Sequence, residues 1–287
     1  WSRFLTATLG LQLALKDGEA TQDTRRLLED VVSRDSEPGT TEVQLGHDFL
    51  AGVSRARKLA AEDVALARKL LTDTRFSIPS SAWAAIRYAQ APGETFYDVV
   101  AMSMFRRLAD MAETADVTSN PRLKEEARSI SAVLRELPAA TILNHRRDLE
   151  WLARQEQLRV WSYQALVRLH EFGADAAPTL LWLIDDSVRL KDAYGSDWNN
   201  AYLAGLMGLC HMGAAGGEMI RPIFERLDSG AMVKHASYWD LTIETLVGMG
   251  ADPDDMWDHL QTSDRNHTRN RFDRLAGRAV KKQDCSY

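Results

Sequence analysis

The chain is poor in cysteine, holding only Cys210 and Cys285 among its 287 residues. Two cysteines so far apart make neither a disulfide framework nor a metal knuckle. Cys210 lies in the apolar run LMGLCHMG and reads as a small buried hydrophobe. Cys285 lies in the tail and reads as a free thiol. Such usage is compatible with a reducing, cytoplasmic compartment. Long hydrophobic runs are also lacking. The stretch from Phe4 to Leu15 is apolar but broken by Thr and Gln. It falls short of the roughly 18 to 20 residues that a membrane span needs, and reads as an amphipathic helix. The sequence opens at Trp1 with no initiator Met, which leaves room for a membrane anchor or export signal upstream. No excess of positive charge exists. The net charge of −6 argues against wholesale nucleic-acid binding, which wants a basic surface. The phosphate-cradling, dinucleotide, zinc-protease, nucleophile-elbow and C-x-x-C patterns are all missing, so no reaction is legible from a motif.

What is present is helix. Strand signals, meaning sustained alternation rich in Val, Ile and Thr, are almost absent. TRRLLEDVVSR places Leu27, Leu28, Val31 and Val32 at helical spacing, and Pro38-Gly39 breaks the pattern. A short helix is expected between Pro79 and Pro92, and a longer one over TFYDVVAMSMFRRLADMAET. Asn120-Pro121 marks a restart: a capping side chain followed by Pro at the first helical position. The boundaries suggested are an N-terminal helical region over 1–140 and a second region over 141–287.

The second region repeats itself. LVRLHEFGA, LMGLCHMGA and IETLVGMGA align on Gly173, Gly213 and Gly250, 40 and then 37 residues apart. Apolar residues precede each Gly by seven, four and one positions: Leu166, Leu169 and Phe172; Leu206, Leu209 and Met212; Ile243, Leu246 and Met249. They follow it by seven and ten: Leu180 and Leu183; Ile220 and Ile223; Trp257 and Leu260. A Gly closing a helix can take the positive φ that satisfies the last carbonyls. Pro178 and Pro253 fit the start of the next helix. A helix pair with an apolar face it cannot bury alone buries it by stacking.

The stretch ALVRLHEFGADAAPTLLWLIDD resembles the HEAT-like repeats first described in phycobilisome lyases, and the resemblance covers roughly residues 158–261. It implies an all-α fold, a right-handed α-solenoid of stacked antiparallel helix pairs. The Val-Arg expected at the start of the following helix appears only as Val233-Lys234, and as Val188-Arg189 displaced by the insertion LKDAYGSDW. No single activity comes with this scaffold.

Few residues stand out for chemistry. None of the seven histidines pairs with another ligand at metal spacing. DPDDMWD lacks the central Gly and distal Glu of a calcium loop, and its acids suit a helix's first turn. No metal or other cofactor is implied. Trp161, Trp239 and Trp257 fall on or near the apolar stripe. Trp182 does not: it follows Gly173 by nine, about 200° around the helix from the core position at seven, with Asp186 one turn on. Trp198 lies in the insertion. The pair reads as a protein-binding surface or as packing against the insertion. The only strongly basic stretch carries Arg271, Arg274, Arg278, Lys281 and Lys282 around a stripe of Phe272, Leu275, Ala276, Ala279 and Val280. It reads as a capping helix, or as a docking site for phosphates, headgroups or an acidic partner.

These features favour a non-enzymatic protein-interaction or scaffold module, as part of a larger or membrane-anchored protein, with another protein as partner. The alternative is a HEAT-like DNA-binding or DNA-repair glycosylase-type enzyme, in which Trp182 and Asp186 would line a groove.

Overall fold

A computed structural model describes residues 22–34, 36–53, 60–73, 75, 96–114, 116–232, 236–261, 267–281 and 285. The helices expected over 4–15 and between Pro79 and Pro92 lie outside these. Among the described residues all regular structure is helical, so the fold is all-α. No described helix is long and apolar enough to cross a membrane. The chain divides into two compact units, Trp1–Glu113 with Ala132–Thr141, and Thr114–Ser131 with Ile142–Tyr287.

The first unit contains α1 (Gln22–Ser33), α2 (Thr40–Val53), α3 (Ala61–Thr72) and most of α4 (Phe96–Thr114). The first three helices pack on one another. Leu28 and Val31 of α1, Leu45 and Phe49 of α2, and Leu66 and Leu70 of α3 are buried, each set at the spacing that puts side chains on one helical face. Asp63 is 1 % exposed and receives hydrogen bonds of 2.6 and 3.0 Å from Arg25. A carboxylate this deep persists because a guanidinium reaches it.

The second unit opens with the first turns of α5 (Pro121–Glu136). Asn120 caps it, its Oδ1 accepting from the backbone N–H of Arg122 at 3.0 Å, with Pro121 beginning the helix. Then follow α6 (Ala139–Leu143, whose last residues belong here), α7 (Arg146–Arg154), α8 (Glu156–Arg159) and α9 (Tyr163–Val167), the last continued by a 3-10 helix, Arg168–Ala176. Next come α10 (Ala177–Arg189), α11 (Lys191–Tyr194), a 3-10 turn Gly195–Trp198, α12 (Asn199–Met212), a 3-10 segment Gly213–Met219, and α13 (Ile220–Ser229). The chain ends with α14 (Ala236–Met249), α15 (Pro253–Leu260) and α16 (Arg269–Lys281).

The repeat glycines all take positive φ. Gly173, Gly213 and Gly250 have φ of 62°, 58° and 94°. At Gly173 and Gly213 ψ is −152° and −138°, so these two occupy the region open essentially to glycine alone, rather than the left-handed helical well. Pro178 falls in the first turn of α10 and Pro253 opens α15. Asp252 caps α15 by accepting from the N–H of Asp254 at 2.9 Å, so the acidic run serves a helix start.

Burial follows the repeat register. Leu169, Leu183, Leu209, Ile223, Leu246 and Leu260 are at most 1 % exposed. Helix α10 packs on α12, α12 on α14 and α14 on α16, while α13 packs on α15. The α10–α12 approach is close because α12 carries Gly205 and Gly208. A Cβ at Gly205 would lie 2.6 Å from the Leu180 carbonyl oxygen, and one at Gly208 2.5 Å from Leu180 Cδ2. Two buried hydroxyls tie elements together through the backbone. Ser131 Oγ accepts from the N–H of Ala165 at 2.8 Å, and Thr245 Oγ1 donates to the Leu206 carbonyl at 3.3 Å. Three register positions depart from the expected core: Phe172, Ile220 and Trp257 are only partly buried. Trp257 lies against Phe272 of α16, with ring centroids 5.4 Å apart, at the end of the helix succession.

Both cysteines depart from expectation. Cys210 and Cys285 are joined in a disulfide with Cα atoms 5.6 Å apart. Cys210 is buried as expected, but Cys285 is not a free thiol. The tail returns to α12, an encounter between residues 75 apart that linear spacing does not reveal.

Candidate functional site

Trp182 and Asp186 share one face of α10, a turn apart, and the structure surrounds them with arginine. The Trp182 ring is half-buried. The guanidinium carbon of Arg154, at the end of α7, lies 3.8 Å from its centroid, and that of Arg159, at the end of α8, lies 5.0 Å away. A cation over an indole face is attracted by the ring quadrupole. The position nine after Gly173 therefore meets the arginines that end α7 and α8.

Asp186 is tied down by arginine. Arg159 Nη2 donates to its Oδ2, and Arg189 donates to Oδ1 at 3.1 Å and to Oδ2 at 3.3 Å. Arg189 also donates to Glu156 Oε2 at 2.8 Å, returning the network to α8. Arg159 is 2 % exposed and its Nη1 donates to the Ala153 carbonyl at 3.4 Å. Its Nε finds no hydrogen-bond partner among the described residues. Burial pulls the Arg159 pKa down, against the attraction of Asp186 and Glu156. The exposed Arg189 is pushed the other way by its hydrogen bonds to Asp186 and Glu156. Nearby Tyr194 has its pKa raised, first by burial and then by the charge of Glu156. Beside this cluster a shallow depression is lined by Asp185, Val188, Arg189, Arg226 and Ala231. The assembly combines an aromatic face, an exposed cation (Arg154) and a pinned carboxylate.

Trp198 does not join it. It is 6 % exposed and packs edge-on against Tyr202 at 5.7 Å and Tyr238 at 6.3 Å. This corrects the expectation of a shared Trp182–Trp198 surface: the insertion folds its tryptophan inward onto α12 and α14, because a large apolar ring gains more from burial than from water.

The C-terminal basic stretch forms α16, with Phe272, Leu275, Ala276 and Ala279 buried. Its cations are largely engaged within the chain. Arg271 donates to both Asp240 oxygens, at 2.8 and 3.0 Å, and lies over Trp239. Arg278 donates to the buried Glu244 at 2.6 Å. Arg269 bridges Asp254 and Asp273. Arg274 is exposed. Lys282 and the side chains of Val280 and Lys281 lie outside the described residues. The arginines thus form a seam between α14 and α16 more than a free basic patch.

His170 and His211 approach to 5.2 Å between ring centroids, and His259 stacks on Phe224 while bonding Asp228. Among the described residues no cluster of three or more His, Cys, Asp or Glu is arranged to hold a metal. Sequence reasoning missed Arg154 and Arg159, whose spacing in ARQEQLR carries no motif. It also missed Glu244, although a carboxylate inside the buried run LTIETL calls for a partner. No protein family, curated protein or solved structure matches this chain.

Proposed function

We propose that this chain is a non-enzymatic protein-interaction module, a right-handed α-solenoid of HEAT-like helix pairs that engages a partner through the surface around Trp182 and Arg154. The observation that supports it most is the packing of α10 on α12, α12 on α14 and α14 on α16, together with a positive φ at each of the three repeat glycines, Gly173, Gly213 and Gly250. Such arrays offer extended surfaces for other proteins. On this one, Trp182 keeps part of its ring accessible and Arg154 is exposed beside it, with no carboxylate pairing it among the described residues. Trp and Arg are the side chains that most often dominate interfaces. An unpaired guanidinium on an aromatic face suits an acidic segment of another protein.

The glycosylase-type alternative gains nothing from the site. Asp186 already accepts three guanidinium hydrogen bonds, which leaves it poorly placed to activate a water or substrate. The test is affinity capture from native extract with wild type, Trp182→Ala and Arg154→Glu, each first shown to unfold near the wild-type midpoint. A specific partner with an acidic binding segment, lost in both variants, is the expected result. Retention of every partner by both variants overturns the assignment of the surface. Tight, steeply salt-dependent DNA binding by the wild type overturns the class.

A further inference from the structure

We propose that the Cys210–Cys285 disulfide is a structural clamp, formed in an oxidising compartment, that pins the C-terminal tail onto α12 and α14 and thereby keeps α16 docked. The inference does not depend on the interaction reading above.

Three observations converge at the clamp. Cys210 is fully buried in α12 and Cys285 is 4 % exposed, so the bond is shielded from solvent. The backbone N–H of Cys285 donates to Glu244 Oε2 at 3.3 Å, while Glu244 Oε1 accepts from Arg278 at 2.6 Å. One buried carboxylate on α14 therefore holds both α16 and the tail. Cys285 also has φ of 49°, a conformation that non-glycine residues rarely adopt. Such a backbone persists where its surroundings over-determine it, and here a covalent bond and a buried hydrogen bond do so.

The chemistry indicates the compartment. Joining the two thiols releases two protons and two electrons. The electrons pass to an acceptor disulfide, carried by a thiol–disulfide oxidoreductase or by an oxidised small thiol. It is attacked by one cysteine thiolate, is displaced from the mixed disulfide by the other, and leaves as two thiols. Disulfides formed this way persist in the periplasm, in secretory compartments and outside cells, and are rare where glutathione keeps thiols reduced. Reduction of the finished bond needs an attacking thiolate to reach a buried sulfur. That marks the bond as structural rather than a switch cycling in the folded protein. The sparse-cysteine reading of a reducing compartment is replaced by this one.

The experiment uses the full chain, exported to an oxidising compartment and trapped with a maleimide–polymer reagent. No adduct is expected under denaturing, non-reducing conditions, and a doubly labelled species is expected after reductant is added to the unfolded chain. Hydrogen exchange then compares the oxidised wild type with Cys285→Ser, a change at the tail that leaves the α12 core intact. Amides of α16 should exchange about tenfold faster or more in the variant, as local opening becomes easier. Chemically reduced wild type should match the variant, which separates loss of the clamp from any effect of serine. Two free thiols in the exported protein overturn the compartment. Unchanged α16 exchange in both the variant and the reduced wild type overturns the clamp.

Discussion

Arg226 on α13 grips Asp185 on α10 through two parallel hydrogen bonds, of 2.7 and 2.8 Å, across 41 positions of sequence. It is one rung of a series. Arg159 and Arg189 hold Asp186, His259 on α15 meets Asp228 on α13 at 2.9 Å, and Arg269 on α16 meets Asp254 on α15 at 2.9 Å. Apart from Arg189, which lies on α10 with Asp186, each of these cations reaches a carboxylate on a different helix. The apolar faces supply most of the driving force. The ion pairs fix which helix lies beside which, because a slip would separate the partners.

The Arg226–Asp185 rung is partly exposed, at 27 % and 35 % for the two side chains, so solvent screens it. A double-mutant cycle with Arg226→Ala and Asp185→Ala should give a coupling of about 0.5 to 1 kcal/mol, the upper part of the range for exposed pairs because the contact is bidentate. The coupling should shrink in high salt. A coupling near zero in low salt would remove this rung from the account of register.

The two kinds of helical glycine should respond in opposite directions. At Gly205 a methyl group would meet a backbone oxygen at 2.6 Å, which cannot move without shifting α10. Gly205→Ala should destabilise by roughly 1 to 3 kcal/mol, the usual cost of overpacking. At Gly277 in α16 an added Cβ meets nothing within 4 Å. Gly277→Ala should stabilise by about 0.5 to 1 kcal/mol through helix propensity. Chemical denaturation of both variants measures the contrast, and equal shifts of one sign would contradict the close approach.

The sequence was legible where physics acts locally or periodically. Leu169, Leu209 and Leu246 recur at one spacing from Gly, and all three are buried, because a repeated helical turn presents the same face each time. Asn120 and Pro121 announced a helix start that needs only the next two residues. What stayed hidden depends on encounters between distant segments. Nothing in ARQEQLR says that Arg154 and Arg159 will approach Trp182, since that depends on how α7 and α8 pack against α10. Nothing near Cys285 says that the tail returns to α12. Trp198 looked available because the insertion breaks the repeat, but an insertion can fold inward, and this one does.

Tyr194 carries a pH signature. Its phenol is disfavoured from ionising by burial, then by the neighbouring charge of Glu156. A phenol whose folded pKa exceeds its unfolded value of about 10 contributes stability fully present below that pH. The contribution is lost as pH rises through the folded pKa. A difference titration in the ultraviolet, wild type minus Tyr194→Phe, should isolate one tyrosine of seven ionising above the ordinary range. Below pH 9 the wild-type contribution should not vary with pH. Ionisation of this residue below pH 10 would contradict the burial that disfavours its charged form.

The Arg159–Asp186 pair should show an asymmetry between losing one partner and losing both. Arg159 is 2 % exposed and already has an unpaired Nε, so its charge leans on Asp186 and the Ala153 carbonyl, with Glu156 and the Trp182 ring nearby. Removing Asp186 alone strands a buried cation, and Asp186→Leu should cost about 3 kcal/mol or more. The second change, Arg159→Met, replaces the guanidinium with an apolar chain of similar length beside Trp182. Replacing a buried pair by apolar residues is often neutral. The double variant should therefore recover much of the stability lost in Asp186→Leu, although Arg189 and Glu156 still meet. A double variant less stable than Asp186→Leu would show instead that Arg159 acts mainly by packing its stem and its cation on the indole, with the carboxylate secondary. Trp182 fluorescence distinguishes the two outcomes, because in the first case the ring keeps its half-buried environment and in the second it becomes accessible to an aqueous quencher.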